Sequence, residues 1–126
     1  MTRRLLIVAA IAASASAASA QGVDVTLTEF KLGLSRDTVK AGPVTFNVSN
    51  GGTISHGFFV RGNGIAKGTK ELPKGESAHL TVTMKPGTYD VYCPLSDGSH
   101  RQAGMAKKLV VLPGDAPAAA PKKPDA

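Results

Sequence analysis

Tyr92-Cys93-Pro94-Leu95-Ser96-Asp97-Gly98-Ser99-His100-Arg101-Gln102-Ala103-Gly104-Met105 holds the only cysteine of the chain, one of its three histidines and one of its three methionines. It begins at the end of an alternating run, Thr88 to Cys93, in which Tyr89, Val91 and Cys93 share one face. Pro94 stops that run, and Ala106 to Leu112 starts another, apolar from Leu109 onward as a fully covered strand would be. The stretch therefore reads as a long polar loop slung between two strands, with its chemistry concentrated in the loop.

Working outward, the same two-residue period recurs along most of the chain. Val23 to Leu32 alternates through Val23, Val25 and Leu27 as a half-buried first strand, and Leu34 to Lys40 continues as a short extended segment after Gly33. Ala41-Gly42-Pro43 is a turn. Val44 to Ser49 sets Val44, Phe46 and Val48 against Thr45, Asn47 and Ser49, a strand with one wet face. After the break at Asn50-Gly51-Gly52, Thr53 to Val60 predicts a strand with Ile54, His56, Phe58 and Val60 on one side. Ile65 to Pro73 lacks any period and reads as a crossing loop. Glu76 to Met84 sets Ala78, Leu80, Val82 and Met84 opposite Ser77, His79, Thr81 and Thr83, and Lys85-Pro86-Gly87 turns the chain back. About seven short strands at regular spacing, with no amphipathic helix, predict an all-β, two-sheet antiparallel sandwich. Phe46, Phe58, Leu80, Val82 and Val91 are its expected central side chains.

The two ends are expected to lie outside that domain. Arg3 and Arg4, the apolar run Leu5 to Ala13 and the small residues Ala18-Ser19-Ala20 have the order of a secretory signal peptide over 1–20. The folded domain is then 21–112, and 113–126, built of Pro, Ala, Lys, Asp and one Gly, has nothing to bury. The expected location is the bacterial periplasm, with no stable membrane insertion. The full chain carries 15 basic and 9 acidic residues; without Arg3 and Arg4 the balance is 13 − 9 = +4. The basic residues are scattered and do not interleave with aromatics, which argues against nucleic-acid binding. A mildly basic surface instead favours encounter with an acidic partner.

One cysteine makes no internal disulfide, so in an oxidising compartment the free thiol calls for a reason. It is either a small buried hydrophobe or a metal-bound thiolate. Among the histidines, His79 lies on the wet side of its strand and reads as a surface residue. His56 shares a row with apolar residues, where an imidazole needs either a hydrogen bond or a metal. A sandwich brings the loop between its last two strands to the same pole as one end of an interior strand. His56, Cys93, His100 and Met105 would then supply two imidazoles, a thiolate and a thioether, a set that favours copper.

Ser55-His56-Gly57-Phe58, Tyr92-Cys93-Pro94 and His100-x-x-x-Gly104-Met105 together resemble a small single-domain cupredoxin of the plastocyanin, azurin or sulfocyanin kind, over Val23 to Leu112. The resemblance implies a Greek-key sandwich of about seven to eight strands and one type 1 copper ion. His56, Cys93 and His100 would be its equatorial ligands and Met105 its axial one. It implies a monomeric, non-enzymatic carrier of single electrons, with a redox partner protein such as a c-type cytochrome or a terminal oxidase or reductase. His100 would be the edge nearest solvent, with Phe58, Phe59 and Leu95 as candidates for a docking patch. Two departures stand out. Six residues separate Cys93 from His100 where small cupredoxins more often have two to four, so Ser96 to Ser99 should bulge outward. Gly57 stands where many members have Asn, which leaves a backbone N–H for the thiolate but no side-chain tie between the two ligand loops. The alternatives are a periplasmic copper carrier and a metal-free sandwich that binds some other partner.

Overall fold

The structure, a computed structural model, describes residues 21–114, so the expected signal peptide and most of the expected tail lie outside the described residues. Among these there are nine strands: β1 (Gln21–Thr28), β2 (Lys31–Leu34), β3 (Thr38–Lys40), β4 (Gly42–Asn50), β5 (Phe59–Gly62), β6 (Ile65–Gly68), β7 (Ser77–Met84), β8 (Gly87–Tyr92) and β9 (Ala106–Leu112). They form two sheets, ordered β2-β1-β4-β7 and β3-β9-β8-β5-β6. The predicted sandwich is present.

Two strand pairs run parallel, β1 with β4 and β3 with β9, so the sheets are mixed rather than wholly antiparallel. Parallel neighbours need a crossover between them. Here the chain leaves β1, turns back as β2, visits the other sheet as β3 and returns as β4. Alternation of apolar residues reports which face is buried and carries no record of strand direction, which is why periodicity gave no sign of it.

The inner faces meet in one core. Val23, Val25, Leu27, Val44, Phe46, Val48, Val82 and Met84 come from the first sheet. Val39, Val60, Tyr89, Val91, Leu109 and Val111 face them from the second. The Phe46 and Phe58 rings, 5.1 Å apart, join the two layers at the centre. Of the expected central residues only Leu80 is incompletely buried, on the edge strand β7.

Four local expectations change. The first strand ends at Thr28 and turns at Glu29 and Phe30 instead of running to Leu32. Residues 53–58 are a loop that touches the ladder once, where His56 bridges Leu72, and Ile54 is 43% exposed rather than on the His56 face. Ile65–Gly68 pairs with β5 as an edge strand, and its Lys and Gly suit an edge that must not pair further. In β9 Val110 is 37% exposed, so that strand is covered on one side only.

Candidate metal centre

At one pole of the sandwich the apolar rows run out in polar residues. Val23, Val25 and Leu27 lead to Glu29; Val44, Phe46 and Val48 lead to Asn50; Tyr89 and Val91 lead to Cys93. The inward parity of each strand carries these side chains, or the loops they hold, to the same end of the core.

Asn50 organises the loop that delivers His56. It is buried, its Nδ2 donates to the carbonyls of Ile54 and Leu72 at 2.8 Å each, and its Oδ1 accepts the Gly52 N–H at 2.9 Å. His56 is then pinned by paired backbone bonds with Leu72, at 3.1 and 2.8 Å. Its ring is fully buried.

The Cys93–Met105 loop holds itself through its backbone. Ser96–Gly98 forms a tight turn and Ser99–Gln102 a single helical turn, α1, which between them take up four of the six residues between Cys93 and His100. Ser96, Asp97 and Gly98 all have positive φ. Three of the four residues in the expected bulge, Ser96, Asp97 and Ser99, are exposed, yet the Ser96 hydroxyl returns to within 3.4 Å of His100 Nε2. The Met105 N–H donates to the His100 carbonyl at 3.1 Å, and the Cys93 N–H to the Met105 carbonyl at 3.0 Å. Gly104, at φ +129°, lets the loop pass the β1–β2 turn: a Cβ there would lie 2.9 Å from the Phe30 carbonyl oxygen.

His56, Cys93 and His100 converge. One ligand atom from each lies within 4.8 Å of the others, separations of the order spanned by two metal–ligand bonds of about 2.0–2.3 Å. Cys93 Sγ is 3.6 Å from His100 Nδ1 and accepts the Gly57 N–H at 3.4 Å, the donor expected from the backbone at that position. Met105 is fully buried and joined to both Cys93 and His100 by the backbone bonds just described. His79 is exposed and bonded to Asn47, away from this group.

The fit of a metal ion can be tested on His56. Its Nε2 lies 3.2 Å from Glu29 Oε1. The Glu29 carboxyl is lowered from 4.5 to about 2, first by the Ile54 N–H, then by the Thr53 N–H, with His56 adding to the effect. It is therefore an acceptor, so Nε2 carries the proton and Nδ1 bears the lone pair. That Nδ1 is the one buried side-chain nitrogen or oxygen without a partner among the described residues. Leaving such an atom unpaired costs about 1–3 kcal/mol. A metal beside a buried thiol and a second imidazole removes that cost, so the donor set fits one copper ion. The sequence left His56 a hydrogen bond or a metal; its two nitrogens divide the roles.

Phe30 closes the pole. Its ring stands edge-on to both imidazoles, with centroids 5.2 Å from His100 and 6.4 Å from His56, while 41% of the residue stays exposed. His100 is 9% exposed and His56 is sealed, which places the His100 edge nearer to solvent as expected. Phe58 is wholly buried and so excluded from any docking patch, whereas Phe30 and Ile54 supply the exposed apolar surface. Glu29, Phe30, Asn50 and Ser96 were not among the predicted site residues.

Residues 3–105 match the family described as cupredoxin-like domain. A search of curated proteins finds no match. Among solved structures, the dithionite-reduced auracyanin of the photosynthetic bacterium Roseiflexus castenholzii is 21% identical with a TM-score of 0.65, over 75% of this chain and 98% of that one. Auracyanin A, a "blue" copper protein of the green thermophilic photosynthetic bacterium Chloroflexus aurantiacus, is 19% identical with a TM-score of 0.61, over 71% and 97%. The multicopper oxidase mgLAC is 18% identical with a TM-score of 0.60, over 79% of this chain and 40% of the oxidase. At these identities the likeness is one of fold, and the oxidase carries that fold within a longer chain.

Proposed function

The chain belongs to the cupredoxin-like domain family, and on that premise we propose that it is an exported type 1 copper protein that carries single electrons between redox partners. The observation that carries the reading is the buried, partnerless Nδ1 of His56 beside Cys93 and His100. In this reading His56, Cys93 and His100, with Met105 beside them, would hold the ion. Bound copper supplies a one-electron Cu(II)/Cu(I) couple.

The chain's own residues account for the rest. Paired backbone bonds with Leu72 hold His56, and the Cys93 N–H bond to the Met105 carbonyl holds the thiol, so the donors would change little between oxidation states. The Gly57 N–H withdraws charge from the sulfur and helps set the potential. Phe30 keeps bulk water off both imidazoles, and His100, the less buried of the two, is the edge through which a docked partner exchanges the electron. Such a partner is a redox protein, with a c-type cytochrome or a terminal oxidase or reductase as candidates. Among the described residues one cluster of three metal-donor side chains is present, matching the single copper ion of this reading. No helix among the described residues is long and apolar enough to cross a membrane. The periplasmic location rests on the composition of residues 1–20.

The visible and EPR spectra of the copper-loaded protein test this reading. An intense thiolate-to-Cu(II) band with reversible one-electron cycling is expected, lost in Cys93→Ser and altered in His100→Ala and Met105→Leu. A colourless protein that takes up only Cu(I) and passes it on would instead make it a copper carrier. The same band in Cys93→Ser would end the copper–thiolate assignment.

A further inference from the structure

Glu29 lies on the β1–β2 turn, remote in sequence from every candidate ligand, yet its Oε1 gathers three donors. The Thr53 N–H reaches it at 2.6 Å, the Ile54 N–H at 2.9 Å and His56 Nε2 at 3.2 Å. One oxygen thus braces the loop that carries His56 and touches the ring itself. Position 52 leaves room for this carboxylate: a Cβ on Gly52 would approach its Cδ and Oε2 to 2.9 Å. The His56 ring is fully buried, so solvent has no access to take over the contact at Nε2.

We propose that Glu29 is a positioning residue of the metal centre: its carboxylate holds His56 as the Nε2–H tautomer, keeps Nδ1 free as a donor, and biases the site toward Cu(II). The proposal rests on the copper reading above. A carboxylate accepting from the far nitrogen of an imidazole makes the near nitrogen a stronger donor. It also places a negative charge one ring away from the ion. Both effects favour the doubly charged state over the singly charged one. The backbone contacts to Thr53 and Ile54 set where the ring stands, and the contact to Nε2 sets which nitrogen is available.

Glu29→Gln separates charge from brace, because its side-chain carbonyl still accepts from the two backbone N–H groups. Removing an outer partner of this kind typically costs about 10–100-fold in metal affinity. The loss is expected for Cu(II), with Cu(I) affinity changed less. Each tenfold change in the ratio of the two raises the one-electron midpoint potential by about 59 mV. Gly52→Ala, which pushes the carboxylate away while leaving it in the chain, should shift the potential in the same direction. In the copper-free protein, ¹⁵N NMR of His56 should report the Nε2–H tautomer in wild type and its loss in Glu29→Ala.

If Glu29→Gln and Gly52→Ala keep the wild-type potential and Cu(II)/Cu(I) affinity ratio, while Glu29→Ala only lowers the melting temperature, Glu29 is a loop brace and the proposal falls. An Nδ1–H tautomer in the copper-free wild type overturns it independently. Failure of the wild-type protein to take up copper would overturn the function itself, and the NMR arm would still decide what Glu29 does to the ring.

Discussion

Glu29 keeps its charge while in contact with a buried imidazole because two backbone N–H groups aim at it before the histidine does. With its carboxyl lowered from 4.5 to about 2, the folded state binds that proton less readily than the unfolded chain. Its contribution to stability is therefore complete above about pH 4.5 and is lost as the pH falls through about 2. Thermal melts of the copper-free protein should show wild type and Glu29→Gln separated at neutral pH and converging across that window. A gap that stays constant down to pH 2 would mean the carboxylate is not the group responsible. At this scale, much of the site was legible. Cys93, His100 and Met105 announce themselves by rarity and proximity, and His56 by standing in an apolar row. The same test, a polar residue continuing an apolar row, also marks Glu29 after Leu27 and Asn50 after Val48. In sequence those two do not stand out, because a carboxylate and an amide beside a turn look like ordinary turn chemistry. Phe30 and Ser96 carry no such mark, since one is an exposed aromatic and the other a loop serine until the fold brings each to an imidazole.

Elements terminate here by specific contacts more than by propensity. Tyr89, at the start of β8, is fully buried, and its hydroxyl donates to the Lys85 carbonyl at 2.7 Å and accepts the Lys85 N–H at 3.1 Å. That pair clamps the turn between β7 and β8. Tyr89→Phe keeps the packing and removes both bonds, so a loss of about 1–3 kcal/mol is expected from chemical denaturation, with no change in the visible band of the copper-loaded protein. A comparable loss accompanied by a spectral change would mean that β8 moves Cys93 when its start is loosened. Tyr92, next to Cys93, is covered by Arg101, whose guanidinium sits 4.1 Å from the ring centre, so α1 is fastened to β8 from outside. The strands with strong alternation, β1, β4, β7 and β8, were readable because each has one wet face. The segment 53–58 was not: its β-branched and aromatic residues fit a strand, but Asn50 and Glu29 compete for its backbone donors and acceptors and bend it into a loop.

For the whole molecule, a ligand that binds only the folded state adds to its stability by mass action. Free copper at a hundred times its Kd would contribute about 2.7 kcal/mol. In a domain of this size that is a rise of about 10–20 °C in melting temperature. Calorimetry before and after chelation measures it, and Cys93→Ser should show much less of the effect. An equal rise in Cys93→Ser would place the stabilising metal elsewhere. The sandwich itself was legible from period alone, whereas the path of the chain through it was not, because a row of valines is the same read in either direction.

The pairing of Thr38–Lys40 with Val110–Leu112 joins residues far apart in the chain, across a parallel contact that no hairpin can nucleate. Folds that depend on such distant pairing form slowly, over milliseconds to seconds. Cys93 is sealed only when both layers have met over it, so its thiol is open to reagents for as long as that closure takes. A chain with a single cysteine can spend that interval in only one kind of disulfide, a bridge to another molecule. Where an oxidant is at hand, as it would be in the proposed periplasm, the speed of closure, and not the finished pocket, would govern how much newly made protein escapes such a bridge.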